Sequence, residues 1–179
     1  MSRYTRPVVP GACVFFTVAL VDRGADTLMR HVDVLREAVR MTRAKRPFGI
    51  DAWVVLPDHM HCVWTLPEGD ADYSGRWREI KGQFSMAVRR SGRAPTLLPP
   101  IAPQNPYGAV GGRDRVGARP DLHKSEAPIW QKRFWEHHIR DARDYDAHVR
   151  YCWINPVKHG FVERPEDWPY SSYRREQDA

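Results

Sequence analysis

Two apolar, β-branched runs, Ile50-Asp51-Ala52-Trp53-Val54-Val55-Leu56 and His59-Met60-His61-Cys62-Val63-Trp64-Thr65-Leu66, are separated only by Pro57-Asp58. A link that short leaves no room for a crossover, so the two runs pair antiparallel as a hairpin. The second run closes on Pro67-Glu68-Gly69-Asp70, which is turn chemistry. Side chains alternate along a strand, so His59 and His61 share one face about 6.5–7 Å apart at Cα. Met60 then points to the opposite face, into a core.

The rest of the chain builds around this hairpin. Residues 12–21 read as a first strand. Asp26 or Thr27 caps a helix with Leu28, Val32, Leu35 and Val39 at helical spacing, and Pro47 stops it. After the hairpin, Ser74 is the expected cap of a helix whose apolar face is Trp77, Ile80, Phe84 and Val88. Residues 91–128 break the pattern: these 38 residues hold 7 of the 15 prolines and 5 of the 12 glycines. That density marks a Pro/Gly-rich insertion without a packed core. Residues 129–139 read as a last strand, and Asp141 caps a helix from about Ala142 to Ile154, with Pro156 preventing its continuation. The order is α+β and ferredoxin-like: a βαββαβ antiparallel sheet with one helix added at the C-terminus, in one domain over 1–179.

Charge narrows the partners. With 28 Lys+Arg against 22 Asp+Glu, the formal charge is +6, and such a surface favours polyanions, nucleic acid first among them. Three cysteines without CxxC spacing, Cys13, Cys62 and Cys152, argue against a disulfide framework and a cysteine-rich zinc site. The apolar run Cys13–Leu20 imitates a signal peptide but has no convincing cleavage site after it. No segment approaches the roughly 20 apolar residues that span a bilayer, so the expected location is the cytoplasm.

The candidate chemistry lies in two pairs. His59 and His61 can aim two nitrogens at one metal ion, although a histidine–x–histidine triplet alone is a weak signal. Tyr151 and Asn155 are four residues apart on a helix and so share a face one turn apart. With the histidines, Asn155 could complete a metal shell through its amide oxygen while Tyr151 reaches over the same ion. Two neutral imidazoles and a neutral amide would leave a divalent cation its full charge toward a phosphate. Mg²⁺ or Mn²⁺ suits that role, and zinc suits the imidazoles. A cation so held neutralises charge in phosphodiester cleavage, and a tyrosine nucleophile would conserve the phosphoester for rejoining.

At these residues the sequence resembles a known family. His59-Met60-His61, entered through Trp53–Asp58, is similar to the HUH motif of single-tyrosine transposases. Trp77–Lys81, Trp130–His137, Tyr151–Gly160 and Asp167–Ser172 resemble the REP-associated tyrosine transposases in particular, and the likeness runs from about residue 12 to 175. The resemblance implies action on single-stranded DNA whose short palindromic extragenic repeats fold into hairpins. It implies Tyr151 as nucleophile, His59, His61 and Asn155 as metal ligands, Mg²⁺ or Mn²⁺ as cofactor, and a 5′-phosphotyrosyl intermediate. It allows a monomer or a homodimer. The chain departs from the family at 91–128, where a short link is expected.

Basic residues near these motifs are candidate phosphate contacts: Arg76, Arg78, Lys81, Lys132, Arg133 and Lys158. Trp77 or Trp135 could stack on a base, though their spacing favours core packing for both. His137 and His138 fall on alternate faces, so at most one faces the site, and Lys158 and His159 could orient a phosphate or leaving group. Two other readings stay open beside strand transfer: a hydrolytic metal-dependent nuclease, and a repeat-binding module without catalysis.

Overall fold

The computed structural model describes residues 7–91 and 128–174. Four strands, β1 (Cys13–Ala19), β2 (Gly49–Val55), β3 (His59–Thr65) and β4 (Trp135–His138), form one antiparallel sheet in the order β2-β3-β1-β4. This is the ferredoxin-like order expected from the sequence. The hairpin pairs Val55 with Met60 and Val54 with His61, and a bulge at Ile50/Ala52 loosens its far end. The C-terminal segment covers the outer edge of β2. There Val55 N–H donates to the Tyr170 carbonyl and Ser172 N–H to the Trp53 carbonyl, at 2.9 and 2.8 Å.

The first helical stretch is broken once, into α1 (Thr27–Arg30) and α2 (Val32–Lys45), with His31 at the joint. The hydrogen bonds run on through the joint, so it is a kink. The Asp26 side chain does not cap this helix; it binds Arg30 instead. The next helix, α3 (Tyr73–Ser91), begins two residues earlier than expected, and its cap is Asp72, not Ser74: the Asp72 carboxylate accepts the Gly75 N–H at 2.6 Å. The last strand is short. Trp130 forms only an isolated bridge to Leu20 before β4 begins at Trp135.

One sheet face packs on α2 and α3. Its core holds Phe16, Met60, Trp64, Tyr73, Trp77 and Phe84, with Trp64 stacked on Trp77 at 4.2 Å. The opposite face packs on α4 (Ala142–Lys158) through a smaller cluster containing Phe15, Val54, Val63, Val149, Cys152 and Trp168. The Asp141 cap is as expected, accepting the Asp144 N–H at 2.8 Å. Pro156, however, lies inside this helix. A proline there removes only the bond to the Cys152 carbonyl, and a helix with two residues left tolerates that loss. Cys13, Cys62 and Cys152 are free thiols. Among the described residues no helix is long and apolar enough to cross a membrane. Apart from its end residues 91 and 128, the Pro/Gly-rich insertion lies outside the described residues.

Candidate functional site

Strand register gathers the site. Thr17 pairs with His61, Ala19 with His59, and Trp135 with Thr17, so all these side chains share the face beneath α4. The helix contributes Tyr151, Asn155 and His159, at successive turns of one side. Tyr151 meets His61 edge-on with ring centroids 5.1 Å apart, and His159 meets His59 at 5.4 Å. Asn155 sits between these two contacts. It is 1 % exposed, and its amide oxygen is buried without a hydrogen-bond partner.

The two imidazoles are held from behind. His59 Nδ1 donates to Asp58 Oδ1 at 2.5 Å, and Asp58 also receives Arg23 at 3.2 Å. His61 Nδ1 is hydrogen-bonded to the Thr17 hydroxyl at 2.8 Å. Both rings therefore keep Nε2 for another partner, the usual arrangement around ligating histidines. Burial pulls the His61 pKa down to about 3, helped by the nearby His59, His159 and Arg23, and burial also lowers that of His59. Both rings are thus neutral and able to donate a lone pair at ordinary pH. Perpendicular imidazoles 5.0 Å apart and an orphaned amide oxygen fit a divalent cation.

Among the described residues, a second set of groups that could hold a metal is His137, Asp144 and His148, whose ligand atoms lie within 4.8 Å of one another. Here the two imidazoles lie nearly parallel, at 4.6 Å and 18°, so their in-plane lone pairs do not converge. His137 Nε2 donates to Asp144 Oδ2, and His148 Nδ1 donates to the Asp144 carbonyl, each at 2.8 Å. His137 first, then Arg140, hold the Asp144 carboxyl well below the usual range. The geometry is that of a hydrogen-bonded scaffold.

Tyr151 is 38 % exposed, and its ring is seated edge-on against His61 and Phe15. Lys158 places its ammonium 4.8 Å above that ring. The other basic candidates fall elsewhere. Arg76 is 1 % exposed and is not offered to a phosphate. Its guanidinium forks onto Asp70 at 2.6 and 3.0 Å and donates to the carbonyls of Arg46, Pro47 and Asp72. Arg78 is exposed, but α3 packs on the sheet face opposite the histidines. Lys81 donates to the Gln131 carbonyl and lies over Trp130 and Phe134. Lys132 and Arg133 are exposed on the approach to β4.

No family model matches the chain. Among curated proteins, a REP-associated tyrosine transposase of Escherichia coli K12 is 43% identical over 98% of this chain and 85% of its own length. A putative REP-associated tyrosine transposase of Haemophilus influenzae is 37% identical over 100% of this chain and 89% of its own. A solved REP-associated tyrosine transposase bound to a REP hairpin matches with a TM-score of 0.75 at 43% identity, over 98% of this chain and 84% of that one. The chain belongs to the REP-associated tyrosine transposases.

In this REP-associated transposase the layer that supports the site was legible in the sequence only in part. Asp58 stood in the turn, adjacent to His59, where an acidic residue beside a histidine triplet is a readable signal. Thr17 had none, because it reaches His61 only through the β1–β3 register. His148 had a spacing signal, four residues after Asp144 and three before Tyr151 on α4. His137 faces Phe15 and His138 faces Tyr73, on opposite sides of the sheet, as alternation requires.

Proposed function

We propose that this chain is a metal-dependent endonuclease and strand transferase for single-stranded DNA carrying hairpin-forming palindromic repeats, with Tyr151 as nucleophile. The observation that carries the reading is the unpartnered Asn155 amide oxygen, buried between the Tyr151–His61 and His159–His59 contacts. His59 and His61 through Nε2, and Asn155 through Oδ1, would hold Mg²⁺ or Mn²⁺. Such an ion, when bound, supplies charge neutralisation at the scissile phosphate.

The protein's own groups then do the following. Asp58 and Thr17 fix the imidazole orientations. The seated Tyr151 ring limits its hydroxyl to a narrow arc, which favours in-line approach to phosphorus. Its oxygen forms the new phosphoester while the bond to the 3′ oxygen breaks, giving a 5′-phosphotyrosine and a free 3′ hydroxyl. The Lys158 ammonium beside the ring adds positive charge next to the attacking oxygen. Because the ester is conserved, attack by a 3′ hydroxyl on the phosphotyrosine rejoins DNA without ATP.

The relatives named for REP elements, and the one solved with a REP hairpin, support this substrate class. The test is incubation with hairpin-containing single-stranded DNA and Mn²⁺, followed by a denaturing gel. A protein–DNA adduct in the wild type that is absent in Tyr151→Phe is the expected result. Cleaved DNA without an adduct, unchanged in Tyr151→Phe, would replace strand transfer with hydrolysis.

A further inference from the structure

Most large aromatic side chains near the sheet are buried; Trp135 is not. It opens β4 at the sheet edge and is 55 % exposed. Its edge meets Phe15 at 5.7 Å, and Phe15 in turn meets Tyr151 at 5.8 Å and stacks on His61 at 5.6 Å. One phenyl ring therefore separates the exposed indole from both the candidate nucleophile and a candidate metal ligand.

The indole is also fixed from its inner side. It lies parallel to His137, at 6.0 Å and 5°, and His137 lies on His148. Asp144 holds both imidazoles by hydrogen bonds and itself sits at the start of α4, the helix that carries Tyr151. The three rings run near-parallel in series, and the outermost, Trp135, is more than half exposed. Lys132, Arg133 and Arg140 are exposed on either side of β4 in sequence. An exposed apolar ring, preceded in sequence by the exposed Lys132 and Arg133 and one phenyl ring from the candidate cleavage centre, suits an unpaired base joined to its phosphates.

We propose that Trp135 is a base-stacking platform that receives one unpaired base next to the scissile phosphate. The inference rests on reading the site as a cleavage centre for single-stranded DNA. It adds a residue that sets which nucleotide lies at that centre. The His137–His148–Asp144 cluster acts as the back support that keeps the indole at its angle relative to Tyr151.

The test pairs the residue with the base. Binding is read by fluorescence anisotropy on hairpin DNA with unpaired flanks, using oligonucleotides that carry one abasic site at each unpaired position in turn. Both the protein and its Trp135→Ala and Trp135→Phe forms are measured on a Tyr151→Phe background, so that no DNA is cut. On intact DNA, Trp135→Ala should weaken binding about 5- to 150-fold, the range of one lost base stack, and Trp135→Phe should recover most of it. At one abasic position the Ala and Trp forms should bind alike. An equal loss at every abasic position, or no loss on intact DNA, would overturn the platform. The adduct gel on the wild type reports separately on the cleavage reading, so stacking without an adduct would sink only that reading. Failure to bind any unpaired flank would sink both.

Discussion

Replacing Arg76 with Met separates two roles for this residue, because its methylene stem is kept and only the guanidinium is lost. In the structure the guanidinium is buried, paired with Asp70, and hydrogen-bonded to the Arg46, Pro47 and Asp72 carbonyls. Removing one partner of a buried ion pair typically costs about 3–5 kcal/mol. Asp70 is 33 % exposed, so water re-solvates much of its charge and lowers that figure. The abandoned carbonyls add back about 0.5–1.5 kcal/mol each where they stay dry. A net loss of about 2–4 kcal/mol is expected, which for a chain of this size lowers Tm by about 5–15 °C. Urea titration should show a lower midpoint with an unchanged slope.

The pH dependence carries a second signature of the same pair. Hydrogen bonds from Arg76, then from the Asp72 N–H, hold the Asp70 pKa at about 2. A carboxyl depressed in the folded state contributes stability above its unfolded value of about 3.9, and loses it as pH falls through the folded one. The gap between wild type and Arg76→Met should therefore narrow between about pH 4 and pH 2, leaving the part due to the carbonyl hydrogen bonds. DNA affinity, measured where both are folded, should not change. A full-strength urea midpoint combined with weakened, less salt-dependent DNA binding would refute the structural role and make Arg76 a phosphate contact.

Two further substitutions probe the supports of the site. Asp58→Asn keeps an acceptor for His59 Nδ1 but removes its charge, and should weaken Mn²⁺ binding about 10- to 100-fold by calorimetry; unchanged affinity would show that the Asp58 charge does not support a metal ligand at His59. Asp141→Ala removes the α4 cap and should cost about 0.5–2 kcal/mol in urea unfolding. A loss well above that would mean Asp141 does more than cap.

How far the sequence reached depends on the range of the interaction. Strand order, the shared face of His59 and His61, and the Tyr151–Asn155 pair follow from local periodicity, and the sheet and α4 bring all four together. Arg76 was misread as a phosphate contact because its partners lie at Asp70 and at carbonyls some thirty residues earlier, beyond any periodicity. Spacing also favoured core packing for both tryptophans. It holds for Trp77, on a helix packed against the sheet, and fails for Trp135, which opens a short edge strand and stays 55 % exposed. Pro156 was taken as a barrier, but the barrier is one hydrogen bond, and packing of α4 on the sheet outweighs it.

Several buried polar atoms among the described residues lack partners, and their positions distinguish them. The indole nitrogens of Trp64, Trp77 and Trp130 lie in the cluster between the sheet and α2–α3, where each ring contributes large apolar area that offsets one unmade bond. The unpartnered Gln83 Oε1 and the two His138 ring nitrogens lie on that same side, by Thr42 and Tyr73, away from the histidine pair. Asn155 has no such compensation, because a short amide buries little apolar surface while its orphaned oxygen costs about 1–3 kcal/mol. Leucine at that position would serve packing better. The same helix face also keeps Tyr151 exposed and sets it over His61, whose burial keeps it neutral. Each of these features alone lowers stability or leaves it unchanged. Together they converge on one point that a divalent cation and a phosphate would satisfy, whereas the His137–Asp144–His148 cluster already satisfies itself.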